Sequence, residues 1–528
     1  MNSNAKHERS RWRWWTLGII SVAVLIVTID TSILNVAIPT LQREFDASAS
    51  QLQWIVTAYI LIFAGLLLTM GGLGDRFGRA HMLRGGVLVF GIASLIATMV
   101  GSAGQLIACR AVMGIGGAML LPATLSILVN IFDEEERPKA IALWAGFNGI
   151  GIAIGPIAGG LLLEHFYWGS IFFVNVPIAA FVILASFLLV PNSRDPEVKP
   201  VDIPGAILST GGVSALVYAI IEGPDRGWTS ALVVSTFAVA FVMSLAFAFR
   251  ERRTENPLLD FYFFRKRRFS AGVATVSLGA LAMSGLVFGI TQYLQFVQSY
   301  TPLEAGIRLL PLAGGIMLGA SRSEILVRYV GTKKVVSGGM FLLSIALGLV
   351  MLWEADSAFW FLGLTLGLIG LGLGITAAPA TDAIMGAIPK ERAGVGSATN
   401  TVIRLVAASL GVAIIGSMMY SIYSSRVSDA VVALSPDLAD AARNSIGAAV
   451  QIAASLPEDA GTALASASGD AFTEALGIVG LIGAVIALFA TGMVARFLPD
   501  REESLTEEEA IPDTEHPGEP ASAVAGTS

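Results

Sequence analysis

Two charged residues lie inside otherwise apolar runs of this chain, and their types suit the handling of a proton. Asp30 falls midway along the run 14–37, and Arg110 falls within the run 105–129. A carboxylate in an apolar segment of membrane length is costly and faces a cavity or a partner. Desolvation favours the neutral form of a carboxylic acid, so a group placed there can take up and release a proton. The competing role for Asp30 is a packing carboxyl satisfied by Thr31 or Asn35. Arg110 keeps its charge and must find acceptors, of which a deprotonated Asp30 is one. A purely structural buried pair is the alternative.

Little else in the sequence suggests chemistry. Cys109 is the only cysteine, and the four histidines stand far apart at positions 7, 81, 165 and 516. An internal disulfide is therefore impossible, and no metal cluster or nucleophile constellation is expected. We expect no enzyme activity, no metal and no cofactor.

The elements that position Asp30 and Arg110 follow from composition. The chain has 528 residues, 54% hydrophobic and only 14% charged, with a mean hydropathy of +0.72. Fourteen uncharged or nearly uncharged runs of about 18 or more residues between positions 14 and 496 have the length of membrane helices. A membrane barrel would show alternating patterns of about ten residues instead. The fold class is thus an all-α polytopic membrane protein with 14 transmembrane helices. Lys6, Arg9, Arg11, Arg13, Arg76, Arg79, Arg84, Arg250, Arg252, Arg253, the RKRR cluster at 265–268, Arg328, Lys333 and Lys334 gather on one side. Arg43, Arg226, Arg426 and Arg443 fall on the other. The positive-inside rule predicts that both termini are cytoplasmic.

Polar interruptions divide the chain. Residues 1–13 form a cytoplasmic N-terminus, 14–190 a six-helix bundle, and 191–250 an extra transmembrane hairpin with its lead-in. A basic connection spans 251–268, a second six-helix bundle 269–497, and an acidic, disordered tail 498–528. The second bundle includes a long extracellular loop, 424–471, read as a lid or spacer. Within it SPDLADAARNSIGAAVQI reads as a helix capped by a Ser, and LPEDAGTALASA as a second helix. A weak repeat relates GGLGDRFGRAHML at 71–83 to SEILVRYVGTKKVV at 323–336, with Gly78 opposite Gly331. Glu222 and Asp225 read as solvated loop acids.

In GIAIGPIAGG, Gly151, Gly155 and Gly159 recur every fourth residue and share one helix face. Such faces let helices approach closely in lipid. Pro156 removes a backbone donor in the same place. Gly160 completes the stretch. Aromatic and amide residues inside spans, namely Tyr59, Trp144, Asn148, Gln292, Tyr293 and Gln295, are candidates with Asp30 for lining a substrate cavity, since aromatic faces attract cations. Glu324 and Asp382 are second-acid candidates.

Several segments resemble one family. GGLGDRFGR at 71–79 resembles the cytoplasmic signature between helices 2 and 3 of the major facilitator superfamily. LIACRAVMGIGGA at 106–118 resembles the fourth-helix motif of its drug exporters, and GIAIGPIAGG resembles its fifth-helix antiporter motif. Fourteen spans, with IDTSILNVAIP and WIVTAYIL, are similar to the fourteen-helix drug:proton antiporters. HFYWGSIFFVNVP and DAIMGAIPKERAGVGSA look closest to quaternary-ammonium exporters of the QacA and SmvA type. Ala80 stands where the family carries a basic residue, and Met113 where it carries Gln.

The resemblance implies two six-helix halves with an extra hairpin between them. It assigns Asp30 and Arg110 to proton coupling and Gly71, Gly74, Asp75, Arg76, Gly78 and Arg79 to a cytoplasmic gate. It makes Gly151, Gly155, Pro156, Gly159 and Gly160 a seam that slides or bends during transport. Asp75 is expected to face a helix N-terminus, and Arg76 and Arg79 to pair across the entrance. The expected function is efflux of lipophilic organic cations in exchange for protons by a monomeric multi-pass protein of the cell membrane. Its partners would be lipid, protons and small cations, with no nucleic acid. Export of a neutral or anionic compound, and a non-transporting membrane sensor, stand as alternatives.

Overall fold

The computed structural model describes residues 3–133, 136–194, 202–254, 263–388 and 393–498; the acidic tail beyond Leu498 and part of the basic connection lie outside the described residues. All regular elements among these residues are helical. The first bundle comprises α1 (Ser3–Phe45), α2 (Ala49–Phe77), α3 (Arg79–Ala97), α4 (Ala103–Ile131), α5 (Arg137–His165), α6 (Ser170–Phe173) and α7 (Asn175–Leu189). The hairpin is α8 (Ile203–Arg226) and α9 (Ala231–Glu251). The second bundle comprises α10 (Arg267–Gln292), α11 (Pro302–Arg308), α12 (Leu310–Val330), α13 (Thr332–Leu349), α14 (Phe359–Met385), α15 (Ala393–Val427), α16 (Pro436–Asn444), α17 (Ile446–Ser455) and α18 (Glu458–Phe497). Fourteen helical stretches among the described residues are long and apolar enough to cross a membrane, as the sequence predicts.

Glycine allows the tightest helix contacts in both bundles. A Cβ on Gly114 of α4 would lie 2.7 Å from the Tyr59 carbonyl of α2. In the second bundle, one on Gly319 of α12 would lie 2.6 Å from the Leu371 carbonyl of α14. Hydrophobicity cannot hold helices together in lipid, so this close approach of backbones is where packing energy comes from.

The repeat noted in the sequence has a backbone counterpart. Gly78 links α2 to α3 at φ 110°, and Gly331 links α12 to α13 at φ 85°. Both turns demand a conformation that side-chain-bearing residues resist. A Cβ on Gly78 would also collide with the Asn192 side chain.

Two expectations for the loops are corrected, and a third, the helix over LPEDAGTALASA, is met and extended. The single helix expected over SPDLADAARNSIGAAVQI is two, broken at Ser445, whose φ of −164° is extended. Its hydroxyl accepts the Ala448 amide at 3.1 Å and so starts α17, whereas Ser435 makes no side-chain cap. The second expected helix is the first part of α18, which runs unbroken from Glu458 because no proline interrupts it. Glu222 and Asp225 are not simply solvated: Glu222 accepts the Trp54 indole N–H at 3.3 Å and pairs with Arg226 at 2.6 Å, and Asp225 accepts the Ser50 hydroxyl. Together they fasten α8 to α2. At its other end α8 is anchored by Asp202, which accepts the Gly205 amide and pairs with Arg250 of α9 at 2.6 Å.

The end of the molecule carrying Arg13, Arg76 and Arg79 is termed the basic face. The two bundles meet at the opposite face. There the Gln295 side chain donates to the Val36 carbonyl at 2.8 Å, and Gln42 of α1 donates to Ser445. A Cβ on Gly160 would lie 2.5 Å from Leu303 Cα. Towards the basic face, Arg404 of α15 is exposed.

Candidate functional site

Asp30 and Arg110 meet in the middle of the first bundle. Their helices, α1 and α4, pack directly, and each residue falls on the face turned inward, at 2% and 1% exposure. Arg110 Nη1 donates to Asp30 Oδ2 at 2.5 Å. The other carboxylate oxygen accepts Asn175 Nδ2 from α7 at 3.1 Å, and the same amide approaches Ser94 of α3 at 3.4 Å. Arg110 Nε donates to the Ile55 carbonyl of α2 at 3.2 Å, and its guanidinium lies 4.5 Å from the centre of the Tyr59 ring. Five helices of the bundle therefore contribute to one polar knot.

A buried ion pair needs its remaining donors and acceptors filled, and here they largely are. Protonating Asp30 would remove the charge that balances Arg110 and leave the guanidinium with the Ile55 carbonyl and the Tyr59 face. Because the partners come from α1, α2, α3, α4 and α7, that change bears on how these helices pack. Thr31, proposed as a local partner, instead donates to the Val27 carbonyl at 2.8 Å, and Asn35 to the Thr31 carbonyl at 3.4 Å.

The glycine stretch lies along α1. Cβ atoms on Gly151 and Gly155 would collide with Thr28 and Ser32, and one on Gly159 would come within 3.1 Å of Ile33. Trp144 and Asn148 continue the same stripe, half-buried, with Asn148 donating to the Trp144 carbonyl. Gly160 and Pro156 face the second bundle, where Gly306 of α11 presses on the Pro156 carbonyl. Thus α5 is wedged between α1 and α11.

The loop around Asp75 differs from expectation. Asp75 pairs with the side chain of Arg79, the first residue of α3, at 2.8 Å, and among the described residues accepts none of that helix's backbone amides. Arg76 lies over the ring of Phe77, 5.5 Å from its centre, and Arg79 pairs locally, so neither bridges to the second bundle. Gly71 and Gly74 lie in the last turns of α2, where Gly74 accepts the Gly78 amide at 2.9 Å.

Most of the expected cavity residues do not line an open cavity here. Asp30 and Tyr59 belong to the buried knot. Tyr293 donates to the Glu354 carbonyl at 2.5 Å inside the second bundle, Gln292 bonds its own helix, and Gln295 closes the opposite face. The second-acid candidates are also exposed: Glu324 forms a surface pair with Arg328 at 2.6 Å, and Asp382 sits near the end of α14. Among the described residues no group of three or more His, Cys, Asp or Glu could hold a metal ion. An apolar cavity of about 200 Å³ where α8 and α9 meet α2 and α15, lined by Leu68, Thr210, Phe247 and Val406, holds no charged side chain.

Sequence reasoning missed Asn175, whose signal is only its place in the quoted segment HFYWGSIFFVNVP. It also missed Arg404, which the criterion that selects Asp30, a lone charge within an apolar span, would have found.

Two helical bundles that meet at one face, with a buried acid–base pair in one of them, have the architecture of a membrane transporter. The chain belongs to the Major Facilitator Superfamily, whose family model matches residues 20–412. It is 34% identical over 483 residues to the multidrug efflux pump LfrA of Mycolicibacterium smegmatis, covering 91% of this chain and 95% of that one. It is 33% identical over 484 residues to the methyl viologen resistance protein SmvA of Salmonella typhimurium, covering 91% and 97%. The tetracenomycin C resistance and export protein of Streptomyces glaucescens is 34% identical over 499 residues, covering 90% and 91%. Among solved structures, a bacterial homolog of the human lysosomal transporter Spinster in an inward-facing, occupied conformation aligns with a TM-score of 0.65 at 18% identity, covering 92% of this chain and 97% of that one. The xylose transporter XylE of E. coli in an inward-open conformation aligns at 0.59 and 12%, covering 93% and 98%. The chain is a multi-pass protein of the cell membrane.

Proposed function

We propose that this chain is a proton-coupled multidrug efflux transporter that exchanges protons for lipophilic organic compounds, cations among them, by alternating access. The observation that carries the reading is the buried Asp30–Arg110 pair beside the glycine seam of α5. The efflux and resistance relatives supply the substrate class, and methyl viologen resistance in one of them favours organic cations. The basic face is taken as cytoplasmic, which makes the face where the bundles meet the outer one. Protonation of Asp30 from outside releases Arg110 and shifts α1 against α5. Loss of that proton inside restores the pair and the closed outer face. Because Asp30 is sealed here, drug and proton are coupled through helix packing and do not share one exposed carboxylate. The reading takes the protein as a monomer and needs no cofactor beyond the proton gradient.

The test is flux of ethidium or tetraphenylphosphonium in proteoliposomes under an imposed pH gradient, for wild type and Asp30→Asn. Gradient-driven flux lost in the variant supports coupling at Asp30. Flux that persists in the variant removes Asp30 from the coupling step, and a folded wild type that moves neither probe rejects cation export.

A further inference from the structure

Arg404 of α15 has no hydrogen-bond or ion-pair partner among the described residues. It stands eleven residues after Ala393, where α15 begins, about 16 Å along the helix at 1.5 Å per residue. Its helix face is turned toward protein, since Asn400 and Ala407, four residues before and three after it, are both buried, and yet Arg404 itself is exposed, as a side chain at a gap between helices is. Among the described residues it makes no hydrogen bond and no ion pair, in contrast to Arg110, whose donors meet Asp30 and the Ile55 carbonyl. One turn nearer the basic face, Asn400 is 8% exposed and its Oδ1 has no hydrogen-bond partner among the described residues.

A guanidinium offers five N–H donors in a planar fork that matches the two oxygens of a carboxylate. An intramembrane charge without an internal partner marks a path for a substrate or an ion. Asp30, whose charge would select cations, is shut inside the first bundle, whereas Arg404 is exposed. We propose that Arg404 is an oxyanion-recognising residue of the transport cavity, taking a carboxylate or acidic phenol carried on a lipophilic transported molecule. The exported compounds then extend beyond simple cations to zwitterions and acids. The proposal rests on the reading of the chain as an exporter but concerns which groups its cavity recognises.

A matched pair of dyes tests it: rhodamine 110, with a free carboxylate, and rhodamine 123, its methyl ester. Binding to the purified full chain is followed by fluorescence anisotropy for wild type, Arg404→Gln and Arg404→Lys. Hydrogen bonds to a charged group are worth enough to change affinity by about tenfold or more. Arg404→Gln is expected to weaken rhodamine 110 by that factor while rhodamine 123 changes by less than about twofold, and Arg404→Lys is expected to fall between. Equal weakening of both dyes by either variant would assign Arg404 a structural role and overturn the proposal, as would unchanged or absent binding of rhodamine 110. Proton-driven flux of rhodamine 123 is measured alongside. Its absence with Arg404-dependent binding of the acid rejects the exporter reading alone; its presence without that dependence rejects the inference alone.

Discussion

Gly306 of α11 rests on the carbonyl of Pro156, so the proline within the glycine stretch of α5 is also where the second bundle bears on the first. The same helix faces α1 through Gly151, Gly155 and Gly159. A movement of α1 would thereby be passed to the opposite face through a single helix.

Larger residues at this junction should block that closure. Cβ atoms at Gly160 and Gly306 would meet backbone, which cannot swing aside as a flexible side chain can. Gly160→Val and Gly306→Val are expected to reduce transport by at least tenfold and to favour conformers open at the opposite face. Labelling of cysteines introduced near Val36 and Gln295 reads this directly; labelling no greater than in the unsubstituted seam would count against the idea.

Breaking the central pair should cost more than deleting it. Removing one partner of a buried ion pair leaves an uncompensated charge and typically costs about 3–5 kcal/mol, whereas replacing both is far milder. Asp30→Asn and Arg110→Gln are each expected to lower the thermal midpoint of the purified protein, and the double variant to recover part of the loss. Strictly additive losses would show that the two side chains do not depend on each other.

Charge bookkeeping constrains the energy source. One proton exchanged for one monovalent cation moves no net charge, so the pH gradient alone drives the exchange. A dication exchanged for one proton moves one charge against the membrane potential, at about 2.3 kcal/mol per 100 mV. A voltage step at zero pH gradient should leave export of a monocation unchanged and slow that of methyl viologen. Monocation export driven by voltage alone would require another stoichiometry.

The hairpin anchor should be insensitive to pH over the physiological range. Burial by itself raises the pKa of Asp202, but the Arg250 hydrogen bond and the Gly205 amide outweigh it and hold the group below its usual 3.8. A carboxylate with a lowered folded pKa stabilises the fold above its unfolded pKa, and the contribution fades as pH falls through the folded value. Asp202→Ala is expected to cost about 0.5–2 kcal/mol through the lost helix cap, equally at pH 6 and pH 8. A cost that changes between those two values would show that another group titrates at this anchor.

Much of the architecture is legible in the sequence because lipid leaves so few options. A span must satisfy its own backbone, so a long apolar run is a helix and its length announces it. Gly78 and Gly331 show in the sequence for the same local reason, since tight turns between antiparallel helices need positive φ. Breaks at Val174 and Leu309, and the π turn over Tyr293–Val297, lie inside continuous apolar runs and leave no trace in composition. Nor does the sequence tell that Glu222 and Asp225 find partners on α2, because those partners are about 170 residues away.

What the sequence by itself determined was the class of solvent, the number of spans and the presence of charges that lipid would reject. Asp30 and Arg110 are conspicuous for that reason, as is the four-residue spacing of glycines on α5. Tertiary structure decided what each charge faces. Asp30 is sealed by Arg110 and Asn175, Tyr59 serves as a wall for the guanidinium, and Arg404 is left exposed. The physical reason is that the cost of a charge in a membrane depends on its partners, and partners across helices are set by packing among segments far apart in the chain.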